Sequence, residues 1–142
     1  MIEISLSELN RSNFYEKTLQ TIEQICDDFA IEKDFGSISM ANQMICDYLD
    51  AMHSDFSADV DFRIDSDEIT VQYSLQNGNF NSFASNEDGQ NTALFVLQSL
   101  ADEISFSTDL DTLISTFHVK TKMSIQRQMQ HQEVRKNIFK YS

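Results

Sequence analysis

The sequence predicts a two-layer α+β sandwich, a mostly antiparallel sheet with helices over one face, and two observations carry that expectation. Apolar residues recur every three or four positions between Phe14 and Met52 and then at every second position between Val60 and Leu75, the change from a helical to a strand period. Turn-forming clusters divide the chain into the order β-α-α-β-β-loop-α-β-β, which suits helices packed on one side of an antiparallel sheet.

Met1 to Ser5 alternates apolar and polar residues and predicts a short strand over residues 2 to 6. Asn13, with Glu16 three residues later, marks a capped helix start. Phe14, Ile22, Ile25 and Phe29 then share one helical face, and Ile31 to Gly36 reads as the exit loop. Ser37 is positioned to cap a second helix, whose stripe runs through Ile38, Ala41, Met44, Ile45, Tyr48, Leu49 and Met52. Val60, Phe62 and Ile64 alternate with charged residues. After the turn Ser66-Asp67, the alternation resumes through Ile69, Val71, Tyr73 and Leu75, a hairpin with one wet face. Residues 76 to 92 are rich in Asn, Ser and Gly and read as one long loop. Leu94, Val96, Leu97, Leu100, Ala101 and Ile104 mark a further helix. Strands follow at Ile104 to Ser107 and Leu113 to Val119, around the turn 108 to 111. The last segment carries Gln at 126, 128, 130 and 132 with sparse apolar residues, and predicts a terminal helix of weak amphipathicity. The expected organisation is one domain over residues 1–119 and a basic, Gln-rich helix or tail over 120–142.

Composition narrows the function classes. At 142 residues and 41% hydrophobic, with eleven Phe, the chain has material for one core. No apolar run approaches the ~20 residues that cross a bilayer, and the N-terminus lacks a secretory layout, so a cytoplasmic protein with no membrane association is expected. Cys26 and Cys46 follow Ile25 and Ile45 in helical segments and read as small core hydrophobes, not as a disulfide. Residues 1–119 hold four basic residues against 22 acidic, a balance of −18; residues 120–142 hold six against one, +5, giving the total of −13. A body this acidic repels phosphate backbones, which argues against nucleic acid as a partner. The basic tail of one chain against the acidic body of another is a route to a homo-oligomer.

No arrangement of residues spells out a reaction. Cys46, Asp50 and His53 share a helix face, but they span about 10 Å along it, too far for one metal ion. The Asp59, Asp61, Asp65, Asp67 and Glu68 run lacks the glycine and terminal Glu of a calcium loop and reads as a solvated strand face. There is no Gly-x-Ser-x-Gly elbow, and His53, His118 and His131 have no nucleophile signature beside them. The three glycines, Gly36, Gly78 and Gly89, make neither a phosphate loop nor a dinucleotide fingerprint. Neither a catalytic residue nor a metal site is expected.

The element order, and above all the stretch from Asn91 to Asp109, resembles the GHKL (Bergerat-fold) ATPases, in particular the small anti-sigma-factor serine kinases, where a glycine segment opens a helix that runs into a strand, a turn and a last strand. The resemblance covers residues 1 to about 119 and lies in layout more than in motifs. The family's helix carries a Glu and, four residues later, a magnesium-holding Asn; the matching positions are Asn42 and Cys46, neither of which supplies that chemistry. A shift of one residue brings Asp47 to the metal position. The adenine-reading Asp-x-Gly-x-Gly falls on Leu75, Asn77 and Asn79, with Leu75 in place of the aspartate. At the second glycine segment Gly89 remains, while Asn91 and Ala93 replace later glycines. The resemblance therefore implies a pocket with its base, metal ligand and adenine acceptor lost together. It implies a regulatory interaction domain, a pseudo-ATPase that takes no cofactor and binds a protein partner, a sigma factor or regulator, in bacterial partner switching. Two alternatives stand beside it: an active serine kinase that binds ATP and magnesium through Asp47 with Glu87 or Asp88, and an unrelated α+β oligomerising protein.

Overall fold

The computed structural model describes residues 1–52, 55–84 and 92–121. The elements run β1 (Ile2–Leu9), α1 (Phe14–Asp28), α2 (Phe35–Met52), β2 (Ala58–Ile64), β3 (Glu68–Leu75), α3 (Asn81–Ala84), α4 (Thr92–Leu100), β4 (Glu103–Phe106) and β5 (Thr112–His118). The five strands form one sheet in the order β1-β2-β3-β5-β4, every neighbouring pair antiparallel. This is the expected α+β two-layer sandwich.

The strand alternation decides which face is covered. Val60, Phe62 and Ile64 of β2 stand opposite Tyr73, Val71 and Ile69 of β3, and all six are buried. Leu113 and Phe117 of β5 continue the row beside Tyr73 and Ile69. Onto it pack the inner faces of α1, with Phe14, Ile22 and Ile25, and of α2, with Ile38, Ile45 and Leu49. Each such side chain withdrawn from water contributes on the order of 2 kcal/mol. The opposite face of the sheet is polar: Glu3 and Ser5, Asp59, Asp61 and Arg63, Thr70 and Gln72 lie there, with Arg63 near Glu3 at 3.5 Å and Ser5 donating to Asp61 at 2.6 Å.

Several boundaries differ from the sequence expectation. β1 runs to Leu9 because a bulge, with Glu8 at φ 55, lets Leu9 rejoin the ladder opposite Ala58, and the Glu8 amide donates to the Asp59 carboxylate at 2.9 Å. Asn13 occupies the N-cap of α1 without capping it; its Oδ1 accepts from the Asn10 amide at 2.8 Å and tightens the entry turn. Residues 31 to 36 are not a loop. Ile31 is fully buried, Glu32–Asp34 wind into a 3₁₀ turn, and α2 starts at Phe35, ahead of Ser37. The long loop is also interrupted. Phe80 and Phe83 bury themselves against Tyr48, with ring centroids 5.9 and 4.9 Å away, and α3 starts directly after Phe80 and carries Phe83. α4 stops at Leu100, earlier than its apolar pattern, because the chain turns into β4 at Glu103.

Packing extends to Thr121, which is fully buried, donates its amide to Ser66 at 3.1 Å and its hydroxyl to the Asp65 and Ser66 carbonyls. The terminal helix expected beyond it lies outside the described residues. Among the described residues no helix is long and apolar enough to cross a membrane.

Candidate functional site

Asn42 sits in the middle of the buried face of α2, a polar residue in a stripe otherwise made by Ile38, Ala41, Ile45, Cys46 and Leu49. A buried amide needs partners for both ends, and two neighbouring elements supply them. Its Nδ2 donates to Thr18 Oγ1 of α1 at 2.9 Å, and Tyr73 of β3 donates its hydroxyl to Oδ1 at 2.9 Å. Thr18 in turn donates to the Phe14 carbonyl, one turn earlier, at 2.8 Å. Thr18 and Asn42 have no exposed surface and Tyr73 has 2%. The chain of hydrogen bonds ties both helices to the central strand.

Cys46 lies one turn further along the same face. Burial pushes its thiol up to about 12; the Thr18 hydroxyl opposes the rise, and the charges of Asp50 and Asp47 add to it. Burial likewise pushes Cys26 up to about 11, with Asp34 and Glu32 adding their charge. Neither sulfur is a thiolate at neutral pH, so neither is a ready nucleophile or metal ligand. Burial, with Cys46 adding, also holds the Tyr73 phenol well above its usual value. Both thiols keep their protons in the fold where the unfolded chain begins to lose them near pH 9. Their stabilising contribution is complete below that pH and is lost as pH rises toward the folded values of about 11 and 12. The denaturant midpoint is therefore expected to fall across that window, and to fall less in a Cys46→Ala variant than in the parent protein. A flat midpoint through the window would contradict this.

The remaining residues singled out by the resemblance divide into groups. Asp47 is exposed and accepts from Gln43 one turn back at 2.9 Å. Leu75 closes the buried row of β3 at 5% exposure, and its amide donates to the Asp111 carbonyl at 2.8 Å. Asn77 is a clasp: its Oδ1 accepts from the Ser57 amide at 2.9 Å and its Nδ2 donates to the Asp55 carbonyl at 2.8 Å, joining the exit of β3 to the entry of β2. Asn79 accepts from the Asn81 amide at 2.9 Å through its side chain, and from the Tyr48 hydroxyl at 3.1 Å through its carbonyl. Ala93 is exposed on α4. Gly89 and Asn91 lie outside the described residues, as do Glu87, Asp88 and His53.

The structure thus brings Asn42 and Cys46 together in the core and turns Asp47 outward. The sequence reading did not find Thr18 and Tyr73 as partners of Asn42. The available signal was the position of Asn42 within an apolar helical stripe.

A second feature was not anticipated. A groove of about 510 Å³ lies where the 3₁₀ turn, the β2–β3 turn and the end of β5 meet, lined by Lys33 and Asp34, Asp67 and Glu68, and His118 and Lys120. Lys33 and Lys120 have no ion-pair partner among the described residues. One carboxylate oxygen of Asp34, Oδ2, is buried and has no hydrogen-bond partner among the described residues. The groove mixes both signs of charge and holds no serine, threonine or cysteine side chain. Among the described residues no three His, Cys, Asp or Glu side chains are grouped to hold a metal ion. In comparisons with known proteins, no family model matches this chain and no curated protein matches it.

Proposed function

We propose that the chain is a degenerate GHKL-like regulatory domain of the anti-sigma-factor type, cytoplasmic, which acts by binding a protein partner and does not bind ATP. The observation that supports this most is the engagement of Asn42. Its position matches the family's catalytic carboxylate, yet both polar atoms of the side chain are spent on Thr18 and Tyr73 and none of its surface is exposed. A group in that state neither polarises a nucleophile nor reaches a nucleotide. The neighbouring positions support the same reading. Cys46 is a neutral buried thiol, Leu75 offers the adenine amino group no acceptor, and Asn77 holds two strands together.

Titration of the full chain with ATP and magnesium tests it directly. No saturable heat is expected up to millimolar nucleotide, and no nucleotide-dependent rise in melting temperature. Saturable binding at micromolar affinity, lost on Asp47→Ala, would overturn the reading in favour of an active serine kinase using that exposed carboxylate.

A further inference from the structure

The two edges of the sheet are finished differently. β4 has four residues and is short, as protected edges commonly are. β1 has eight, and among the described residues nothing pairs with its outer side. Every second residue of an edge strand turns its N–H and C=O away from the sheet, so β1 presents a row of unmatched donors and acceptors. Few of the devices that blunt such rows are present: β1 contains no Lys and no Pro, and its charges are Glu3, near Arg63 at 3.5 Å, and Glu8 at the bulge. Its one bulge falls between Leu6 and Leu9 and leaves Ile2 to Leu6 in regular register with β2.

The side chains of β1 repeat the same incompleteness. Ile2, Ile4 and Leu6 stand opposite Ile64, Phe62 and Val60 and therefore belong to the helix-covered face. Their β2 neighbours have no exposed surface, whereas Ile2 is 39% exposed and Ile4 and Leu6 are only half-buried. Among the described residues the apolar layer is only partly covered at β1.

The geometry points to a second copy of this chain as the occupant, its β1 laid antiparallel against the first to make one ten-stranded sheet. The choice follows from register. A two-fold axis at Ile4 sets Ile4 against Ile4, Ile2 against Leu6 and Glu3 against Ser5, so each apolar side chain meets an apolar one and no two acids face each other. An axis at Glu3 would oppose two carboxylates, and an axis at Ser5 would set Ile2 against Glu8. Registers displaced by one residue would put the helices of the two copies on opposite faces and strand both apolar rows. One alignment satisfies charge, apolar contact and layer side together, with each half of the interface the mirror of the other in content, as a two-fold contact requires.

Ionic strength separates this contact from one made by the basic tail. Two bodies of like charge repel, so added salt should strengthen pairing through β1 and weaken any pairing of tail on acidic body. The test is sedimentation of the full chain over a range of concentration and salt, with variants at the exposed Ser5. Ser5→Glu places a carboxylate opposite Glu3 twice in the dimer, and is expected to raise the dimer dissociation constant by roughly tenfold. Ser5→Lys places an ammonium there and should leave dimerisation intact or stronger. Circular dichroism of both variants checks that the fold is retained. A parent chain that stays monomeric at every concentration and salt would overturn the proposal. So would a dimer that ignores both Ser5 variants and disappears when residues 122–142 are removed.

Discussion

Replacing Asn42 with alanine is expected to lower the unfolding free energy by about 3 kcal/mol, because it orphans the Tyr73 hydroxyl and one lone pair of Thr18 in a dry interior, each at a cost of about 1–3 kcal/mol. Tyr73→Phe removes a single donor and should cost about 1–2 kcal/mol. The two changes share a hydrogen bond, so the double variant should lose less than the sum. Urea unfolding with an unchanged slope measures each value. Asn42→Glu is the more instructive replacement. It restores the family's carboxylate at the matching position, but it does so where the side chain has no exposed surface. Burying an unpaired carboxylate costs more than losing an amide, so this variant should be less stable than Asn42→Ala and show no ATP turnover. A stable Asn42→Glu protein that hydrolyses ATP would mean that α2 opens this position to a nucleotide.

Phe14→Ala should have the largest effect of any single truncation in α1, about 3–5 kcal/mol. Phe14 is 2% exposed and meets Phe56 edge-on at 5.5 Å and Tyr73 at 6.1 Å, so its ring joins the first turn of α1 to the central strand and to the segment before β2. Its carbonyl also receives the Thr18 hydroxyl. The loss is comparable with the whole stability of a marginal domain, about 5–15 kcal/mol, and should appear as a large fall in melting temperature. Tyr15, the next residue, is 43% exposed, and Tyr15→Ala should change stability by no more than about 0.5 kcal/mol. Equal losses at the two positions would show that the periodicity of α1 had been misassigned.

The fold class, the β2–β3 hairpin and the inward faces of α1 and α2 were legible in the sequence, because a buried face must repeat at the period of its own backbone and that period is written in residue order. Val60, Phe62 and Ile64 against Ile69, Val71 and Tyr73 needed no partner information to be placed. The missed features depend on what lies across space. Phe80 and Phe83 sit among Asn, Ser and Gly, and it is the rings of Tyr48, thirty-odd positions earlier, and of Phe106 that they pack against where their segment makes a helical turn. Ser37 has the chemistry of a cap, but the buried Ile31 and the 3₁₀ turn behind it bring the helix in earlier. Asn42 shows the division most sharply. Its residue type told that a carboxylate base was missing from the matching position, whereas its burial and its bonds to Thr18 and Tyr73 come from three elements meeting in the tertiary structure. Local period and residue chemistry are properties of the chain, while desolvation and hydrogen-bond partners are properties of the packed volume around each side chain, and the second set determines what each polar group is free to do.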